Sequence, residues 1–179
     1  MSLSTELISQ YLRDAVAAEK RFEGQLRTFA QEGDDQDVQR AFIQHADETQ
    51  AQYRRLSERL AALGYQSTES QNTMSSIADF APKFAELGST PEERLLQNLI
   101  TAFCIETGEI AMYEALAAVA QAAGDFTTET LARDIQTEEQ RTAEKVFHFL
   151  PTRSKIAFNV LTADEVDPAV QTKVGEGLV

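Results

Sequence analysis

The sequence predicts an all-α protein built as a bundle of four long helices. Three observations carry this. Four stretches place apolar residues at the 3.6-residue period of a helix. Only 8 Gly and 4 Pro occur in 179 residues, while good helix formers (Ala, Glu, Gln, Leu, Arg) abound. No run of alternating Val, Ile and Thr reads as a strand.

The first helix is predicted from Ser4 to Ala30. Ser4 serves as the N-cap and Glu6 sits in the first turn, where a carboxylate meets the positive end of the helix dipole. Its apolar stripe runs Ile8, Tyr11/Leu12, Ala15, Phe22, Leu26 and Phe29, and Glu19 falls on it. Gly33 is predicted to end this helix, with Asp34 or Asp35 capping the next. The second helix, Asp35 to Leu63, carries Val38, Phe42, His45, Glu48/Thr49, Gln52, Leu56 and Leu60 on one stripe, and Gly64 closes it.

Residues Tyr65 to Thr90 lose the pattern. Gln, Ser, Thr and Asn dominate from Gln66 to Ser76, and a short helix is expected from Ile77 to Leu87. Thr90-Pro91-Glu92-Glu93 then gives the clearest start signal: Thr caps, Pro takes the first helical position, and Glu93 closes a capping box. The third helix runs to Ala123, where Gly124 stops it; Gly108 in its middle marks a place for a kink or a close backbone approach. Asp125 caps the fourth, whose stripe is Leu131, Ile135, 138/139, Thr142, Val146 and Phe149/Leu150, with Pro151 directly after. His148 would then lie near the helix end, where the dipole favours it. Lys155 to Leu161 reads as a short separate helix in a C-terminal tail.

Two short turns and one long crossover define a ferritin-like antiparallel four-helix bundle with a short C-terminal helical extension. The domain reading is residues 1–150 for the bundle, with its crossover at 65–90, and 151–179 for the extension. The length suits one domain with a core of its own. A net charge of −13 argues against nucleic acid and anionic membranes as partners, since both select clustered Lys and Arg. No basic region followed by an apolar run opens the chain, and no stretch has the ~20 apolar residues of a membrane span, so a cytoplasmic location is expected. The single cysteine, Cys104, forms no disulfide within the chain and reads as a small buried hydrophobe.

The chemistry lies at mid-height. Glu19, Glu48, Glu106 and Glu138 lie at similar distances from their helix starts, about 20–24 Å along at 1.5 Å per residue. A mid-helix residue stays at mid-height whichever way its helix points, so the four share a layer. Glu109 is one turn from Glu106, Glu139 adjoins Glu138, and His45 is one turn from Glu48. Two carboxylates 5 Å apart repel by roughly 3 kcal/mol at an effective dielectric of 20. Six acids in a dry core must be protonated, paired with Arg or Lys, hydrated, or bridged by metal. Carboxylates with an imidazole in a bundle core suit iron or manganese, with zinc a further option, and acids from facing helices can bridge two ions. Taken singly, each residue has a plainer reading: a Glu snorkelling at the boundary, or a hydrogen-bonded core histidine.

The residues resemble the ferritin-like stress-response family of bacteria of the YciE/YciF type over roughly residues 5 to 150. Tyr11-Leu12-Arg13-Asp14 with Ala18-Glu19-Lys20 looks like its first helix signature. Phe42, His45, Glu48 and Thr49 look like the second; Glu106, Glu109, Ile110, Ala111 and Tyr113 like the third; Glu138-Glu139 like the fourth. The resemblance implies a four-helix bundle, a homodimer, a dinuclear metal centre and a role in stress. The chain departs from related patterns: His45 precedes Glu48 where rubrerythrin-like proteins have Glu-x-x-His, and Arg141 to Ala143 holds neither their histidine nor the Asp of the YciF type.

Two functions fit. In the first, iron or manganese is held by Glu19, His45, Glu48, Glu106, Glu109 and Glu138 or Glu139, and oxygen or peroxide reacts at open coordination positions. Tyr11 and Tyr113 then stand near as hydrogen-bond donors, against the plainer reading of core aromatics. In the second, a non-enzymatic helical dimer holds no metal, balances its acids with Arg141, Lys20 or Arg54, and acts in stress protection through its surface. A ferritin-type storage cage is a weaker third reading, because nothing in the sequence signals shell contacts.

Overall fold

The computed structural model describes residues 2–65 and 90–163. Four helices make up the described chain: α1 (Leu3–Phe29), α2 (Gln36–Ala62), α3 (Pro91–Ala123) and α4 (Phe126–Leu161). The predicted bundle is present. The expected crossover helix at Ile77–Leu87 and the end of the tail lie outside the described residues.

Most helix ends follow from local chemistry. Thr90 and Glu93 form the predicted capping box, the Thr90 side chain accepting from the Glu93 N–H and the Glu93 carboxylate accepting from the Thr90 N–H. Asp35 caps α2 by accepting from Asp37 and Val38, and Asp125 caps α4 by accepting from Thr128. Gly64 and Gly124 take left-handed φ values of 85° and 74°, which only Gly adopts without strain.

Three expectations are corrected. The cap of α1 is Ser2, not Ser4: the Ser2 hydroxyl accepts from the Thr5 N–H. Gly33 does not end α1, which closes at Phe29 with a right-handed Ala30. A Cβ at Gly33 would meet Leu95 Cδ1 at 3.1 Å, so this glycine serves close approach to α3. Pro151 does not stop α4, which continues to Leu161 and absorbs the predicted separate helix. The ring removes the N–H that would reach the Phe147 carbonyl, a cost of about 3 kcal/mol in a helix interior. Contacts beyond it offset that cost: Arg153 pairs with Asp35 at 2.7 Å, its guanidinium lies 5.0 Å over the Phe149 ring, and Ala157 is buried. His148 is therefore mid-helix and not at a dipole terminus. α3 runs unbroken through Gly108.

The core has two apolar halves. One gathers Phe22, Leu26 and Phe29 of α1, Val38 and Phe42 of α2, Leu95 and Leu99 of α3, and Val146 of α4. The other gathers Leu12 and Val16, Leu56 and Leu60, Tyr113 and Leu116, and Ile135. The order of these residues along each helix makes α1 antiparallel to α2 and α3 antiparallel to α4. α2 therefore ends, and α3 begins, at opposite ends of the bundle. α1 neighbours α2 and α3, and α4 neighbours the same two. An ion pair ties one end: Arg59 donates to both oxygens of Asp125 at 2.7 and 2.8 Å and to Thr128 at 2.8 Å. No helix among the described residues is long and apolar enough to cross a membrane.

Candidate metal centre

Between the two apolar halves lies a polar layer with a residue from every helix. α1 contributes Glu19, α2 His45, α3 Glu106 and Glu109, and α4 Glu139. All five are buried, none more than 4% exposed. They sit there because each occupies a core stripe: Glu19 follows Ala15 and Val16 and precedes Phe22, and Glu106 and Glu109 lie between Ala102 and Tyr113.

The layer is under-satisfied. Buried polar groups normally have hydrogen-bond partners. Here both nitrogens of His45, both oxygens of Glu109, Oε2 of Glu19 and Oε1 of Glu139 have none, and the Glu106 oxygens have only the neighbouring Glu139 carboxyl, with which they share a proton when one is present. His45 Nε2 lies 2.7 Å from Glu106 Oε1, without the alignment of donor and acceptor. One ligand atom each from His45, Glu106 and Glu139 lies within 4.8 Å of the others, close enough to share one ion.

Burial governs the electrostatics. It drives the carboxyls of Glu19, Glu109 and Glu139 far above their usual range, and neighbouring carboxylates add to the rise. Burial pushes Glu106 up to about 8. It pushes His45 down to about 4, against the opposing pull of Glu139 and Glu48. With no ion bound, the layer therefore holds protonated acids around a neutral imidazole. Such a layer costs stability that an apolar layer would not, unless a ligand uses it.

The other two predicted ligands stand at the rim. Glu48 is half-buried and accepts from Gln44 Nε2 at 2.8 Å, with its charge acting on His45 and Glu106. Glu138 is engaged by Arg55, whose Nη1 donates to both oxygens at 2.8 and 2.9 Å, and by Gln52 at 3.2 Å. Of the adjacent pair on α4, Glu139 faces in. The cation that pairs with an acid at the rim is thus Arg55, which the sequence did not single out; Arg141, Lys20 and Arg54 are exposed, and Lys145 acts on His45 from the α4 side. Arg55 lies one residue off the stripe of Gln52 and Leu56, and nothing in that spacing marks it. Tyr113 is fully buried and donates its hydroxyl to Glu19 Oε1, so it belongs to the site, whereas Tyr11 packs with the apolar half around Leu12.

This geometry can be set beside known proteins. The sequence model of a family described as a domain of unknown function, DUF892, matches residues 4–157. The chain belongs to the DUF892 family. Its likeness extends to solved structures. The Escherichia coli stress protein YciF matches at 22% identity with a TM-score of 0.70, over 87% of this chain and 99% of that one. A protein from Xanthomonas campestris pv. campestris matches at 22% identity and a TM-score of 0.70, over 91% and 99%. Dps from Vibrio cholerae, described as one of a broad superfamily of ferritin-like diiron-carboxylate proteins, matches at 14% identity and 0.59, over 82% and 91%. At these identities the structural matches establish the ferritin-like fold, YciF among them, and the family match establishes membership of DUF892.

Proposed function

We propose that this DUF892 protein binds divalent metal in the mid-bundle layer and serves in a stress response. The observation that carries the reading is the set of buried, unpartnered ligand atoms on four helices. Carboxylates and imidazole match the donor preferences of iron and manganese, and zinc accepts the same set. His45, Glu106 and Glu139 hold one ion. Glu19 and Glu109 supply a second position, with Glu48 and Glu138 in reserve at the rim. The diiron-carboxylate description of the Vibrio Dps and the stress role of YciF support the same reading.

A bound Fe(II) or Mn(II) would supply open coordination positions for oxygen or peroxide and would itself be the electron donor, whereas Zn(II) would not. The chain's own residues do the rest. The Tyr113 hydroxyl fixes the orientation of Glu19, Arg55 holds Glu138 away from the layer, and the two apolar halves keep water out above and below. A cytoplasmic homodimer remains the expected setting.

Arg55 favours a second reading. By neutralising Glu138 it removes a ligand that α4 would offer, as in a degenerate site within a non-enzymatic dimer. Thermal unfolding separates the two. A ligand that binds only the folded state at a hundredfold excess over Kd adds about 2.7 kcal/mol, or about 5–10 °C in Tm for a chain this size. Mn(II), or Fe(II) without oxygen, is expected to give that rise in the native protein and none in Glu106→Ala or His45→Ala. No rise with Fe(II), Mn(II) or Zn(II) in the native protein overturns the metal reading and leaves the dimer.

A further inference from the structure

A buried layer needs a way in, and the bundle has two gaps that reach it. Between α1 and α3 lies a cavity of about 320 Å³. Glu32 and Gln25 stand exposed at its mouth, with Arg21 beside them; Asn98 and Thr101 line it further in. Asn98 donates to Glu32 Oε2 at 2.9 Å, which fixes the carboxylate at that end. Of the five layer residues Glu109 alone lines this cavity; it is 1% exposed and neither oxygen has a partner. The gap between α2 and α4 is only about 40 Å³ beside His45 and Glu48. The groove outside it, about 360 Å³, carries Arg55, Arg141 and Lys145 with Glu48 and Glu138 and reaches none of the five layer residues.

The two gaps differ in what they admit. A hard divalent cation gives up hydration waters reluctantly and needs oxygen ligands to replace them. Taking it through a dry passage costs far more than any single contact returns. The α1–α3 cavity has room for water, with amide and hydroxyl oxygens on its walls, a carboxyl group at each end and a single cation, Arg21, at the mouth. The α2–α4 passage narrows to about 40 Å³ beside His45, and the groove leading to it sets Arg55, Arg141 and Lys145 against two acids, Glu48 and Glu138, a net positive approach for a dication.

We propose that the α1–α3 cavity is the access route by which a hydrated divalent cation reaches the layer, with Glu109 the first buried carboxylate it meets. This rests on the layer being a metal centre. The test follows uptake of Mn(II) by the metal-free full chain, through loss of the free-ion signal in electron paramagnetic resonance. Thr101→Trp and Gln97→Trp place an indole in the cavity from two half-exposed positions, so that one plug remains if the other fails to fold. Lys145→Trp puts the same bulk on the opposite gap. Both plugs are expected to slow uptake at least about tenfold, as a barrier raised by about 1.4 kcal/mol would, with the final stoichiometry unchanged. Lys145→Trp is expected to load as fast as the native chain. Native rates in both plugs, or slowing only in Lys145→Trp, overturn the route. No uptake by the native chain overturns the metal reading itself, a different and recognisable result.

Discussion

Glu106 and His45 sit 2.7 Å apart with opposite displacements of their proton affinities, and together they give the metal-free protein a characteristic pH dependence. Glu106 is raised from 4.5 to about 8, so the folded state holds a proton there that the unfolded state has lost. That stabilising contribution is full below 4.5 and lost as pH rises through 8. His45 is lowered from 6.5 to about 4, so its neutral form contributes above 6.5 and is lost as pH falls through 4. Of these two groups, Glu106 therefore makes the metal-free protein less stable at pH 8 than at about pH 6. Metal must displace the carboxyl protons, so its stabilisation grows over the same interval. Thermal melts at the two pH values, with and without Mn(II), check this: the metal-induced rise in Tm is expected to be larger at pH 8. An equal or smaller rise contradicts it. Tyr113 shows why single residues are hard to assign from sequence. Its position on the α3 stripe is that of a plain core aromatic; only the arrival of Glu19 from α1 makes its hydroxyl part of the site.

At the scale of elements, legibility follows locality. Asp35, Thr90, Asp125, Gly64 and Gly124 mark their helix ends because a cap is decided within one turn. Ser2 and Ser4 are both competent caps one turn from the chain start, and spacing alone does not choose between them. Pro151 misleads for the opposite reason. Its local effect breaks helices, yet Arg153 with Asp35 and the burial of Ala157 are tertiary contacts that carry α4 past it. Because the helix is already continuous, Pro151→Ala is expected to restore the missing bond to Phe147 and stabilise the fold by about 1–3 kcal/mol. Urea unfolding measures it; an unchanged or lower midpoint would show that the ring costs nothing in place.

For the whole molecule, the layer was readable because four helices of similar length each carry an acid at mid-height on an apolar stripe. What the stripe does not fix is rotation. Adjacent residues on a helix point about 100° apart, and which of Glu138 and Glu139 turns inward depends on how α4 packs on α2 and α3. The packing turns Glu139 in and leaves Glu138 to Arg55. The same rotation places His45 in the layer and Glu48 at its rim. The result is a bundle whose two apolar halves supply stability and whose middle layer gives some of it up, the usual pattern when function needs a costly site.

That exchange is tested most directly by crystals of the native chain grown without oxygen in Mn(II), with anomalous scattering measured at the metal. The expected result is a strong peak between His45, Glu106 and Glu139, and a second toward Glu19 and Glu109. A well-ordered layer with no anomalous peak, its carboxyls joined only to one another and to water, would contradict the account.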